Sequence, residues 1–125
     1  MKAKKLLIVD DALFMRQTIR QIALSAGWEI AGEAGDGQEA IEAYEREQPG
    51  LVTLDIVMPK MDGVATLKEL MQRDPAARIV MVSAVNQKAK LAECIQCGAI
   101  DFIVKPFDKS ELKSFFEKAL ASQTQ

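Results

Sequence analysis

Asp10, Asp11, Asp55, Ser83 and Lys105 each stand at or just beyond the end of a short apolar run. The two adjacent aspartates follow the run 6–9, Asp55 the run 51–54, Ser83 the run 79–82 and Lys105 the run 102–104. If those runs are parallel strands of one sheet, their carboxyl ends share an edge, and open α/β sheets bind ligands at that edge. Three carboxylates, a hydroxyl and an ammonium would then line one pocket. Carboxylates that close repel one another, and a low-dielectric surround sharpens the repulsion. Lys105 is placed to offset one charge, which leaves roughly two uncompensated. A bound Mg²⁺ balances that count, because it favours one or two carboxylates together with water and phosphate oxygens. Asp55 is the nucleophile candidate, since a carboxylate can attack a phosphoryl group to give an aspartyl phosphate. The metal and Lys105 would stabilise charge on the group in transfer, and Ser83 could hydrogen-bond one of its oxygens. By itself, Ser83 reads as an ordinary strand-end hydroxyl.

The intervening sequence must bring these residues together, and it alternates strand and helix five times without repeats. After a strand over 5–10, residues 12–26 place Met15, Ile19, Ile22, Ala23 and Ala26 on one helical stripe that Gly27 stops. Residues 28–33 form a weaker, edge strand. Asp36 with Glu39 predicts a capped helix running to about Gln48, ended by Pro49 and Gly50. The strand over 51–55 leads into a loop and a helix over 64–73, and Pro75 separates that helix from a strand over 78–83. A helix over 87–97 ends at Gly98, and a strand over 100–104 follows. Asp108 with Glu111 caps a last helix that puts Leu112, Phe115, Phe116, Ala119 and Leu120 on one face. The runs 51–54, 79–82 and 102–104 are apolar almost throughout, which suits parallel strands covered on both faces. Right-handed crossovers then give a doubly wound α/β sheet.

Composition removes several chemistries. The chain of 125 residues suits one domain, and its net charge of −2 offers no global reason to bind nucleic acid or membrane. There is no histidine, hence no Ser-His-Asp triad, Cys-His pair or His-ligated zinc. No run approaches a membrane span, and the basic start precedes too short an apolar stretch for a signal peptide, so a cytoplasmic location is expected. Cys94 and Cys97 fall on the last turn of a predicted helix, an end that disfavours thiolate, and read as small packing residues.

Four segments carry a resemblance that covers essentially the whole chain: residues 9–12, 54–63, 82–84 and 101–107. They resemble the signature segments of bacterial response-regulator receiver domains, and residues 11–16 resemble the CheY-type single-domain regulators of chemotaxis. The resemblance implies a five-stranded sheet of order 2-1-3-4-5 with five helices, the flavodoxin-like order that the chemotaxis regulator itself exemplifies. It implies one receiver domain over 1–125 with a polar tail at 122–125. Asp55 matches the phospho-acceptor, Asp11 the direct metal ligand, Asp10 a ligand acting through water, and the Val57 backbone carbonyl the third protein ligand. Ser83 matches the switch hydroxyl, Lys105 the phosphate-contacting lysine and Phe102 the switch aromatic; taken by itself, Phe102 reads as core packing. The Lys105–Pro106 bond is expected to be cis. The implied cofactor is Mg²⁺, and the implied phosphoryl donor is a CheA-like sensor histidine kinase. The implied target is a flagellar switch or another protein, with a phosphatase as a further implied partner and neither nucleic acid nor membrane expected. The implied activity is self-phosphotransfer and autodephosphorylation rather than enzymic turnover. The implied output surface joins the fourth helix, fifth strand and fifth helix, near Lys88, Lys90, Lys109 and Lys113.

Val57 and Val85 stand where some relatives carry polar groups, which implies a comparatively long-lived phosphoaspartate. A haloacid-dehalogenase-type phosphatase also uses a strand-end aspartate, a hydroxyl, a lysine and Mg²⁺. It needs a second aspartate two residues after the nucleophile, where this chain has Val57. A receiver with a different output and an unphosphorylated docking domain are the other readings.

Overall fold

A computed structural model describes residues 4–84 and 86–122. Its elements are β1 (Lys5–Val9), α1 (Leu13–Ser25), β2 (Glu29–Ala34), α2 (Gly37–Glu47), β3 (Leu51–Asp55), α3 (Gly63–Arg73), β4 (Ile79–Ala84), α4 (Lys88–Gln96), β5 (Asp101–Lys105) and α5 (Lys109–Ala121). The strands form one parallel sheet in the order β2-β1-β3-β4-β5. Alternate residues of the continuous apolar strands feed opposite faces, as the two-residue period of a strand requires. Leu7, Val9, Val52, Leu54, Ile79 and Met81 pack against α2, α3 and α4. Leu6, Ile8, Leu51 and Val80 pack against α1 and α5. The result is three layers, with every β3 residue buried.

Local chemistry accounts for the helix ends. Asp36 accepts from the Glu39 N–H at 2.9 Å, and Asp108 accepts from the N–H groups of Ser110 and Glu111. The Glu39 carboxylate reaches back one residue further than a capping box predicts and accepts from the Gly35 N–H at 2.8 Å. Asp62 caps α3 by accepting from the Ala65 N–H at 2.9 Å. Its signal is weaker in the sequence, because Ala65 rather than an acid stands three residues on, where a capping box would have one. The stop of α2 is Gln48 in a left-handed conformation (φ 47°), ahead of the expected Pro49 and Gly50. Gly27 (φ 102°) and Gly98 (φ 113°) do end their helices as read.

The covering of the sheet departs from expectation at β5. With β4 on one side only, β5 is the far edge, and none of its residues is fully buried. Phe102 is 46% exposed and is not a core residue, so the packing reading is corrected. Cys94 is buried in α4 and Cys97 follows the helix, both as free thiols. Burial first, then the neighbouring Cys97, Glu93 and Asp62, pushes the Cys94 thiol up to about 11, consistent with packing rather than reactivity. Of the tail, Ser122 accepts from Arg78 and donates to the Ala119 carbonyl, while residues 123–125 lie outside the described residues. Val85 lies outside them too. Among the described residues, no helix is long and apolar enough to cross a membrane.

Candidate functional site

Strand register decides which side chains meet. Val9 pairs with Leu54, so Asp10 and Asp55 leave adjacent strands side by side. Ser83 pairs with Val104 and Ala84 with Lys105, which carries the hydroxyl and the ammonium to the same end of the sheet. Asp10 is anchored by its N–H, which donates to the Ala34 carbonyl of β2 at 3.0 Å. Its Oδ1 accepts from the Ala12 N–H at 2.9 Å, which bends the chain into α1. Asp10, Asp55 and Ser83 are buried, and Asp11 is exposed at the mouth.

Four of these side chains, those of Asp10, Asp11, Asp55 and Lys105, converge. Asp10, Asp11 and Asp55 each offer a carboxylate oxygen within 4.8 Å of the others. Lys105 donates to Asp10 Oδ2 at 2.9 Å and approaches Asp55 Oδ2 at 3.4 Å. The Lys105–Pro106 peptide is cis, as the resemblance implies. Burial, and after it the charge of Asp10, raises the pKa of Asp55, while Lys105 and the Val57 N–H pull the other way. Burial opposes the charged form of Lys105, but the hydrogen bond to Asp10 and the charges of Asp55 and Asp10 outweigh it and raise the ammonium pKa. One ammonium therefore does not neutralise the cluster. The donor set is all oxygen and short of positive charge, which fits a hard divalent cation.

The crowding has a consequence for stability. The folded pKa of Asp55 lies above its ordinary 3.8, so the folded state binds more protons between those two values. The contribution of Asp55 to the stability of the metal-free protein then falls as pH rises through that window. Asp55→Asn is expected to remove this fall and to raise the midpoint of urea unfolding at neutral pH in the presence of EDTA. An Asp55→Asn midpoint below that of the wild type under those conditions would contradict the crowding.

Residues 6–117 match the family model of the response regulator receiver domain. The chain belongs to that family. The receiver domain is 49% identical to the chemotaxis protein CheY of Thermotoga maritima, over 92% of this chain and 96% of that protein. It is 48% identical to CheY of Bacillus subtilis, over 94% of this chain and 98% of that one. Among solved structures it superposes on the CheX-CheY complex with BeF₃ and Mg²⁺ from Borrelia burgdorferi. The TM-score is 0.85 at 37% identity, over 97% of this chain and 89% of that one. The receiver domain is thus of the CheY type, and its relatives place it with two-component signalling and chemotaxis.

Two residues inside the resembling segments, Gly63 and Arg16, also position the site, in roles that the sequence does not show. Gly63, the first residue of α3, lies so close to the end of β3 that an added Cβ would overlap the Asp55 carbonyl oxygen. Its own N–H donates to the Ile56 carbonyl at 2.7 Å. Arg16 reaches from α1 to the Asp10 carbonyl. Neither has a spacing that announces it, because both act on backbone atoms distant in sequence or across a loop. Val57, read for its carbonyl, directs its N–H to Asp55 Oδ1 at 3.4 Å and leaves its side chain 51% exposed.

Proposed function

We propose that the receiver domain accepts a phosphoryl group on Asp55 from a CheA-like sensor histidine kinase, with Mg²⁺ held by Asp10, Asp11, Asp55 and the Val57 carbonyl. The supporting observation is the convergence of three carboxylates within 4.8 Å, two of them contacted by one lysine. Bound magnesium would supply positive charge to the phosphoryl oxygens and relieve the repulsion among the acids. The remaining work falls to the chain. An oxygen of Asp55 forms the P–O bond as the donor's P–N bond breaks, and the imidazole leaves with the electron pair. Lys105, held between Asp10 and Asp55, stands where negative charge gathers on the transferred group, and Ser83 supplies a hydroxyl from the next strand.

The output follows from the added charge. Phosphorylation turns one negative charge into nearly two and adds acceptor oxygens, so Ser83 and Lys105 gain a new target. By the family mechanism, Ser83 moves and Phe102 takes the space it leaves. In this structure Phe102 points outward, at a groove of about 380 Å³ that Pro106, Phe107, Leu112 and Phe115 also line. Inward movement of the ring would reshape the α4-β5-α5 face, where Lys88, Lys90, Lys109 and Lys113 are exposed. A flagellar switch protein is the proposed target, with a phosphatase resetting the domain. The phosphoryl group biases two existing conformations by binding one of them better.

Incubation with acetyl phosphate and Mg²⁺, read by intact mass, tests the acceptor: the wild type is expected to gain one phosphoryl group and Asp55→Asn none. A gain on both proteins would place the acceptor elsewhere. The lifetime is a second readout. Val57→Asn sets a polar group beside Asp55 where valine cannot hold an attacking water. Spontaneous dephosphorylation is expected to quicken about five- to tenfold, the worth of one hydrogen bond of about 1 kcal/mol. A lifetime equal to or longer than that of the wild type would refute the role of Val57.

A further inference from the structure

Nothing in the acid cluster itself explains why Asp11 stays beside Asp10 and Asp55, since the three carboxylates repel. The backbone behind them is held by a side chain of α1. Arg16 Nη1 donates to the Asp10 carbonyl oxygen at 2.6 Å, and Arg16 Nε donates to Glu33 Oε1 of β2 at 3.1 Å. The second oxygen of Glu33 accepts from Arg20 Nη1 at 3.0 Å. The Arg16 and Glu33 side chains are only 18% and 21% exposed, whereas Arg20 is 51% exposed. A charged donor on a carbonyl in such partial burial makes a stronger bond than a neutral one. The carbonyl concerned belongs to the peptide that joins Asp10 to Asp11. That peptide is planar, so holding its oxygen sets the direction in which the Asp11 backbone departs. The N–H of Asp10 is tied to Ala34 on β2 as well, so the turn is held from both sides.

We propose that Arg16, itself held by Glu33, is a positioning residue of the metal site: it pins the Asp10–Asp11 peptide so that the Asp11 carboxylate stays with those of Asp10 and Asp55. This rests on the metal reading above. Glu33 does not merely strap α1 to β2; it fixes the plane of the guanidinium, whose fork delivers one N–H to the carboxylate and another to the carbonyl. A lysine at position 16 keeps the charge and loses the fork. Outer partners of metal ligands commonly carry 10- to 100-fold in metal affinity, and this contact belongs in that range.

Magnesium affinity of the full chain, measured by calorimetric titration beside urea unfolding in EDTA, separates positioning from simple strapping. Arg16→Met is expected to weaken Mg²⁺ binding about tenfold or more, and Arg16→Lys and Glu33→Gln by about three- to tenfold. Arg20→Met, which touches the outer side of Glu33 alone, is expected to stay within about twofold. Should Arg16→Met not fold, Arg16→Lys and Glu33→Gln carry the same comparison. Magnesium binding by the folded variants within about twofold of the wild type, whatever their loss of stability, overturns the inference and leaves Arg16 a strap. A wild type that takes up no magnesium at all would instead sink the metal reading, and the two failures are told apart by the wild-type titration.

Discussion

Lys105→Met is expected to slow phosphoryl transfer from acetyl phosphate to Asp55 by about 100-fold or more, while Mg²⁺ binds at least as tightly as before. The two effects run in opposite directions for one reason. The ammonium lies 2.9 Å from Asp10 and 3.4 Å from Asp55, so in the resting protein it shares those oxygens with any metal that enters. Removing it leaves the acids more negative toward a cation, yet takes away a fixed positive charge from the place where the transferred group gathers negative charge. Asp55 also loses one of the groups that oppose the rise of its pKa, which burial and Asp10 already drive. The pH profile of phosphorylation should therefore shift upward, because a greater share of Asp55 stays protonated at a given pH. Rates followed by intact mass between about pH 5 and 8, together with a magnesium titration, check both halves. Transfer within about twofold of the wild type would deny Lys105 its role, and a large loss of metal affinity would mean that the lysine positions the acids instead.

The second large effect is steric and falls first on stability. Gly63→Ala would put a methyl group into the Asp55 carbonyl oxygen and 2.6 Å from the Ile56 Cα, both backbone atoms that no rotamer change can move aside. The glycine is required here by the closeness of α3 to the end of β3, not by its dihedral angles. To admit the methyl group, α3 must retreat, which breaks the 2.7 Å bond from the Gly63 N–H to the Ile56 carbonyl. A loss of about 3 kcal/mol or more in urea unfolding is expected, at the upper end for an overpacked site. Because the disturbed carbonyl belongs to Asp55, phosphoryl transfer in any folded fraction should fall as well. Gly32→Ala is the control: its Cβ would meet only Leu7 Cδ1, at 3.8 Å, and stability should stay within about 1 kcal/mol. Equal stability of Gly63→Ala and wild type would show that α3 is free to move at that point.

Both results depend on contacts of unequal legibility. The five strand-end residues were readable because an apolar run has a clear end, and a polar residue there has few places to go but the sheet edge. The helices were readable from their stripes and from Asp36 and Asp108, whose side chains satisfy amide groups a few residues away. Such local chemistry acts over short stretches of chain, and a sequence displays it directly. The exposed ring of Phe102 was not readable. An apolar residue in an apolar strand looks like core until the sheet order makes that strand an edge.

What the order of residues determined unaided is therefore the α/β class, the positions of the elements and the set of polar groups that could share an edge. The pairing of Asp10 with Asp55, the reach of Lys105 across β3 and β4, the intrusion of Gly63 and the grip of Arg16 on a backbone carbonyl were decided by the fold alone. The physical reason is range: capping and periodicity are satisfied within a few residues. Electrostatic balance and steric fit are settled only between groups that folding has brought within a few ångströms.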